Sequence, residues 1–166
     1  MQTTNADVRF AESQVDLASF EVGGRLFALE VSQVREVVRD QAVTPLPNSP
    51  ELIEGVADLR GAIVPIVDLG RALSGPPVPA DAPRARIVVI EADALVLGLR
   101  VEAVVDVLSL PVEALEDPPA LAVQTGYDAV RAVVRRDSAS PVLVLSLDSI
   151  LESVFRSALD CGAAVA

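Results

Sequence analysis

Gly55-Val56-Ala57-Asp58-Leu59-Arg60-Gly61-Ala62-Ile63-Val64-Pro65-Ile66-Val67-Asp68-Leu69 is the stretch on which the reading of this chain turns. Its centre, Ala62 to Val67, is a compact apolar run closed by Gly61 on one side and Asp68 on the other, the pattern of a buried β-strand. Pro65 inside the run predicts an edge position or a bulge, because proline has no N–H to give to a ladder. Arg60 stands between Leu59 and Gly61 at the mouth of the strand, with Asp58 and Glu54 as the nearby carboxylates that would neutralise it in a purely structural role. Gly55 and Gly61 read as structural turn positions, and Asp68 as a carboxylate capping whatever turn or helix comes after the strand.

Working outward, Leu17, Phe20 and Val22 lead into Gly23-Gly24 and then Leu26-Phe27-Ala28-Leu29. A glycine pair between two apolar runs signals a hairpin, since both central positions of such a turn favour φ > 0. Val31, Val34, Val37 and Val38 are spaced nearer 3.6 than 2, as in a short helical turn or a bent strand. Pro45, Pro47 and Pro50 break any ladder, and Asn48-Ser49 is placed to cap a brief helix over 51–55. Residues 74–85 hold four of the twelve prolines and read as a linker.

The chain beyond that linker resembles the chain before it. A displacement of 70 residues pairs Phe20 with Ile90, Leu26 with Val96, Leu29 with Leu99, Glu36 with Asp106 and Val37 with Val107. A displacement of 78 pairs Val64-Pro65-Ile66-Val67 with Val142-Leu143-Val144-Leu145. The ordered succession of hairpin, bend, proline-broken loop and terminal strand predicts a duplicated small β unit. Two such units would be marginal alone, so they are expected to pack on a shared apolar seam, where a binding groove would form. Over 149–159, Leu151, Val154, Phe155 and Ala158 share one face of an expected terminal helix.

Composition excludes most chemistry. The 166 residues are 51% apolar with mean hydropathy +0.46, yet carry a net charge of −11, which describes a folded domain with an aliphatic core. All 13 basic residues are arginine, there is no histidine, and Cys161 is the only cysteine. Ser-His-Asp and Cys-His pairs, histidine metal cages and disulfides are therefore unavailable, and the acidic balance argues against nucleic acid. An aspartic dyad of Asp68 and Asp148 fails, because the 78-residue displacement sets Ser146, not Asp148, opposite Asp68. Residues 1–14 are polar, without the apolar core of a signal peptide, and read as a flexible N-terminus; no run approaches a membrane span. No metal, nucleotide or other cofactor is expected.

The opening stretch closely resembles the hallmark of the CheW-like domain of bacterial chemosensory adaptor proteins, Gly-Val-x-Asn-Leu-Arg-Gly followed by an aliphatic strand with a central proline and a closing Asp-Leu. The resemblance extends over Phe20–Gly24, Val34–Val37, Thr44–Asn48, Gly98–Glu102 and Asp106–Leu108. Asp58 stands where the family has Asn, Glu102 where it has Asp, and Ala132 where the second unit often has Gly. Glu116-Asp117 replaces a frequently basic position in the stretch that packs such modules into rings.

The resemblance implies an all-β fold of two SH3-like five-stranded β-barrels packed together. It would span 15–151, with sequence units 15–73 and 86–151, an exchange of strands between them left open, and a C-terminal helix and tail over 152–166. It further implies a non-enzymatic, cytoplasmic adaptor, without direct membrane contact. That adaptor would join chemoreceptor cytoplasmic tips to the regulatory domain of a chemotaxis-type histidine kinase. Val34, Glu36, Arg60, Ile87 and Val107 are the expected receptor-binding residues, and Glu116 and Leu121 the expected kinase or array contacts. Scaffolds of motility or gene-regulatory pathways, and decoys that bind one partner, share the same pattern.

Overall fold

The computed structural model describes residues 13–119, 129–137 and 139–165. Strands β1 (Gln14–Val22) and β2 (Arg25–Glu30) form the expected hairpin, with Gly23 and Gly24 at φ 61° and 75°. A single 3-10 turn, Val31–Gln33, then redirects the chain into β3 (Val34–Arg39), so the ambiguous valine spacing holds a turn and a strand in succession. Next come β4 (Ile53–Leu59), β5 (Ala62–Asp68) and the one-turn helix α1 (Leu69–Ala72). After the proline-rich segment lie β6 (Arg86–Ala92), β7 (Leu95–Val101), β8 (Ala103–Pro111), a second 3-10 turn and the two-residue β9 (Leu115–Glu116). The chain closes with β10 (Val130–Arg136), β11 (Ala139–Leu145) and α2 (Leu147–Val165).

Two sheets result, A in the order β8-β1-β2-β11-β10-β9 and B in the order β3-β6-β7-β5-β4. Each therefore draws strands from both halves of the chain: β1 and β2 belong with β8–β11, while β3–β5 belong with β6 and β7. The sequence units 15–73 and 86–151 are repeats, but they are not the two bodies in space. The repeat is visible in the ladders, since β2 pairs parallel with β11 through Ala28 and Val144, and β7 pairs parallel with β5 through Gly98 and Ile66. These are the partners that the 70- and 78-residue displacements equate.

The core has three parts. Leu17, Ala28, Val134, Val142 and Val144 fill lobe A; Leu59, Val64, Ile66, Ile87 and Val89 fill lobe B. A larger cluster including Phe20, Phe27, Leu29, Val67, Val88, Ile90, Leu99 and Leu145 joins them, and Leu147, Ile150, Leu151 and Val154 of α2 pack onto it. The seam is thus lined by the most populous of the three clusters among the described residues. Phe155, expected on the same helix face, is exposed, and Ala158's side chain lies outside what is described.

Four local expectations are corrected. No helix forms over 51–55, because Ile53 onward is already strand. Gly55 is not a turn residue: a Cβ there would lie 2.1 Å from the Thr44 carbonyl oxygen, so glycine is required where Thr44 and Val56 bridge. Pro65 is interior, with β4 on one side and β7 on the other. It is tolerated because its partner Val56 spends its N–H and carbonyl on Thr44, leaving Val56–Pro65 a non-hydrogen-bonded pair, while the β7 ladder begins one residue later at Ile66. Finally, 74–85 is no free linker, since Val78 and Ala85 are buried.

Candidate functional site

Arg60 and Gly61 form the two-residue tip of the β4–β5 hairpin, flanked by the Leu59–Ala62 pair, with φ of 54° and 85°. That is the geometry of a type I′ turn. Asp58 Oδ1 accepts a 2.8 Å hydrogen bond from the Gly61 N–H, so Asp in place of Asn keeps the acceptor that pins the tip. The turn lifts Arg60 off the sheet, where its Nη1 meets Glu36 Oε2 of β3 at 3.2 Å. Its partner is thus Glu36 rather than Asp58 or Glu54. The Arg60 side chain is 78% exposed, so this ion pair adds little to stability and leaves the guanidinium available to another molecule. Beneath it lies a groove of about 500 Å³ lined by Arg35, Glu36, Arg60, Ile63, Val64 and Val96. Ile63, 66% exposed, is the most exposed large apolar side chain among the described residues.

The structure brings together two of the five residues expected at the receptor surface, Glu36 and Arg60. Val34, at the start of β3, is partly buried against the central cluster. Val107 is 57% exposed on β8 of the other lobe, beside Val104 and Val105. Ile87 is fully buried inside lobe B. It alternates inward from the β6 backbone and supports the surface from within, which corrects its placement on a groove. Glu116 is ion-paired with Arg135 at 2.9 Å, and Leu121 lies outside the described residues.

A second cluster lies at the other end of β5. Asp68 is fully buried and caps α1, its Oδ1 accepting from the Arg71 N–H at 3.1 Å; both carboxylate oxygens also accept from the Val78 N–H, at 3.2 and 2.9 Å. Arg100, paired with Asp68 in the β5–β7 register, is buried as well. Its Nε and Nη2 fork onto the two Asp40 oxygens at 3.1 Å each, while Nη1 and Nη2 donate to the carbonyls of Val78 and Pro79 at 3.1 and 2.9 Å. The hydrogen bond to Asp40 raises the Arg100 pKa above its ordinary value against the opposing effect of burial. Burial first, and then the Asp68 charge, raises the Glu54 carboxyl above the usual glutamate value, with Arg100 pulling it back down. These groups border a cavity of about 620 Å³ reached between Asp40, Pro45, Glu51, Glu54, Arg71 and Ala80.

Sequence reasoning found the cap at Asp68 and missed its partners Asp40 and Arg100. The available signal was an arginine at the inner end of an apolar strand, which burial permits only with a dedicated partner. In the second repeat, Ser146 Oγ accepts from the Ser149 N–H at 3.2 Å and caps α2, so the residue set opposite Asp68 by the 78-residue displacement does the same local work. Asp148 is exposed in that helix's first turn. Asp68 is fully buried and Asp148 exposed, unlike the two carboxylates of a dyad, which share one proton in one environment. Among the described residues, no group of three or more His, Cys, Asp or Glu side chains is arranged to hold a metal ion.

Comparison with known proteins accounts for this arrangement. The CheW-like domain family matches residues 16–155. Chemotaxis protein CheW of Rhizobium meliloti (strain 1021) is 32% identical over 157 residues, covering 93% of this chain and 99% of that protein. Protein PilI of Pseudomonas aeruginosa is 35% identical over 85 residues, 51% of this chain and 47% of its own length. The crystal structure of the scaffolding protein TtCheW from Thermoanaerobacter tengcongensis superposes with a TM-score of 0.73 at 29% identity, covering 83% of this chain and 92% of that one. That structure has a two-subdomain SH3-like fold, with which the two sheets of this chain agree. This chain belongs to the CheW-like domain family.

Proposed function

We propose that this chemosensory scaffold joins the cytoplasmic tip of a chemoreceptor to the regulatory domain of a chemotaxis-type histidine kinase, without catalysing a reaction itself. The observation that carries the reading is the Glu36–Arg60 pair over an apolar groove. An exposed guanidinium with a weakly bound partner can exchange onto a carboxylate of an incoming helix, while Ile63 and Val96 meet that helix's apolar face. Val104, Val105 and Val107 offer a further exposed apolar strip on β8 of lobe A, and Val34 is partly buried against the central cluster. Glu116 and Leu121 belong to the stretch assigned to the kinase or array contact. Control of the kinase is then a population shift transmitted by contact. The protein would work in the cytoplasm, brought to the membrane by its receptor; among the described residues no helix is long and apolar enough to cross one.

Removing the charge-assisted contact through Arg60→Ala is expected to weaken binding of the receptor tip by about 1–3 kcal/mol. Kinase-domain affinity and thermal stability should stay as in the wild type. Equal binding of the tip by both proteins, measured by titration calorimetry, would overturn the reading. The similarity to PilI favours one other reading, a scaffold of a motility pathway outside flagellar chemotaxis. The cognate receptor and kinase encoded beside the gene distinguish the two, and a decoy would bind only one of them.

A further inference from the structure

Segment 76–80 connects the two sequence repeats and is held at Val78 by three different grips. The Val78 side chain is buried in the central cluster, its N–H is held by Asp68, and its carbonyl by Arg100. Arg100 also holds the Pro79 carbonyl, and the Pro76 carbonyl lies so close to Gly70 that a Cβ there would come within 2.2 Å. The segment is a strap clamped by one carboxylate and one guanidinium.

Glu54 stands beside that clamp for a backbone reason. Ile53 pairs with Val67 and Gly55 with Ile66, so Glu54 is the extra residue of a β-bulge. The bulge in the other lobe is equivalent: Val130 pairs with Leu145 and Ala132 with Val144, leaving Arg131 as the extra residue. There Arg131 meets Glu30 of β2 at 2.7 Å. The 70-residue displacement turns Glu30 into Arg100, which looks like a ready counterion for Glu54. Arg100, however, has its nitrogens committed to Asp40 and the strap carbonyls. Glu54 therefore lines one cavity with Arg100 and feels the charge of the fully buried Asp68, with only a shared claim on positive charge.

We propose that Glu54 is a proton-responsive latch on the strap. The protonated carboxyl hydrogen-bonds Asp68 and leaves Arg100 to the strap, whereas the ionised carboxylate competes with the strap carbonyls for Arg100 and loosens residues 76–80. The charged groups around it are Asp68 at the end of β5, Arg71 on α1, Arg100 on β7, Asp40 after β3 and Glu51 before β4. The elevated pKa of Glu54 agrees with this crowding, and the 620 Å³ cavity gives protons and water access to it.

Amide hydrogen exchange at Val78, expressed as protection relative to the intrinsic rate at each pH, tests the latch on the intact protein. Protection in the wild type should fall at least several-fold as pH rises through the titration of Glu54. In Glu54→Gln, a neutral isostere of the protonated form, it should stay high and flat. Protection at Leu143, in β11 of lobe A, should follow pH identically in both proteins, which separates strap release from global loosening. Unchanged Val78 protection in the wild type, or the same fall in Glu54→Gln, would overturn the proposal.

Discussion

The two lobes carry the same bulge, the same parallel ladder and the same helix cap, yet opposite charges at matched positions. Lobe A closes its bulge with Arg131 on Glu30, a half-exposed pair at 2.7 Å. Lobe B has Glu54 and Arg100 there, and Asp68 where lobe A has Ser146. The reason lies in the route the chain takes beyond each repeat. After β11 it runs straight into α2, and a serine hydroxyl suffices as cap. After β5 it must return across the molecule to β6, and the strap's buried N–H and carbonyl groups need partners that no strand supplies. A carboxylate and a guanidinium supply them. The lobes differ in packing as well: Ala28 and Val144 in A become Gly98 and Ile66 in B, so the carbon lost on one strand reappears on its neighbour, while Leu17 becomes its isomer Ile87.

This contrast can be broken most severely at Arg100. Arg100→Ala leaves Asp40 and the strap carbonyls without their buried partner and should cost about 3–5 kcal/mol in denaturant unfolding. Arg131→Ala, at the exposed pair of lobe A, should cost only about 0–1 kcal/mol. Equal losses would mean that the strap network is no more than a surface ion pair.

Packing gives the next effect. A Cβ at Gly98 would lie 2.6 Å from Ile66 Cδ1 and 2.8 Å from Ile87 Cγ2. Gly98→Ala should therefore destabilise by about 1–3 kcal/mol. Adding Ile66→Val transplants lobe A's solution, and the double variant should be more stable than the sum of the single changes predicts; strict additivity would show that the two positions do not share one space.

A smaller effect depends on pH. The folded protein holds the Glu54 proton more tightly than the unfolded chain, whose carboxyl titrates near 4.5. Folded protein then binds more protons across the interval above that value, and its stability falls as pH rises through it. Glu54→Gln lacks this loss, so its Tm should gain on the wild type on the alkaline side of the interval and show no such gain on the acid side. A constant Tm difference at every pH would contradict the assignment. The smallest effect is thermal: Arg60→Ala should melt within experimental error of the wild type, because the Arg60 side chain is itself largely exposed.

Why some of this was legible beforehand is a matter of range. The Gly23-Gly24 hairpin, the strand at Ala62 and the cap at Asp68 all stem from local chemistry within a few residues. The exchange of strands does not, because short turns at Val31–Gln33 and Glu102 decide which lobe each strand joins, and they carry no distinctive residue. Ile87 was misplaced because an aliphatic residue in a β-strand says that one face is buried without saying which. Asp40 and Arg100 stand 60 positions apart, so only the fold could introduce them. Glu36 and Arg60 were named through resemblance to a family, and their contact at 3.2 Å is what three dimensions added.

The central claim, that one molecule bridges receptor and kinase through separate surfaces, is tested most directly by sedimentation of this protein with a receptor-tip fragment and the kinase regulatory domain from the same genome. The wild type should form a ternary complex. Val107→Asp, which sets a carboxylate on the exposed apolar strip of β8, should keep the kinase domain and release the receptor tip while retaining its melting transition. Failure of the wild type to hold both partners at once, or loss of the kinase domain rather than the tip in the folded variant, would contradict the account.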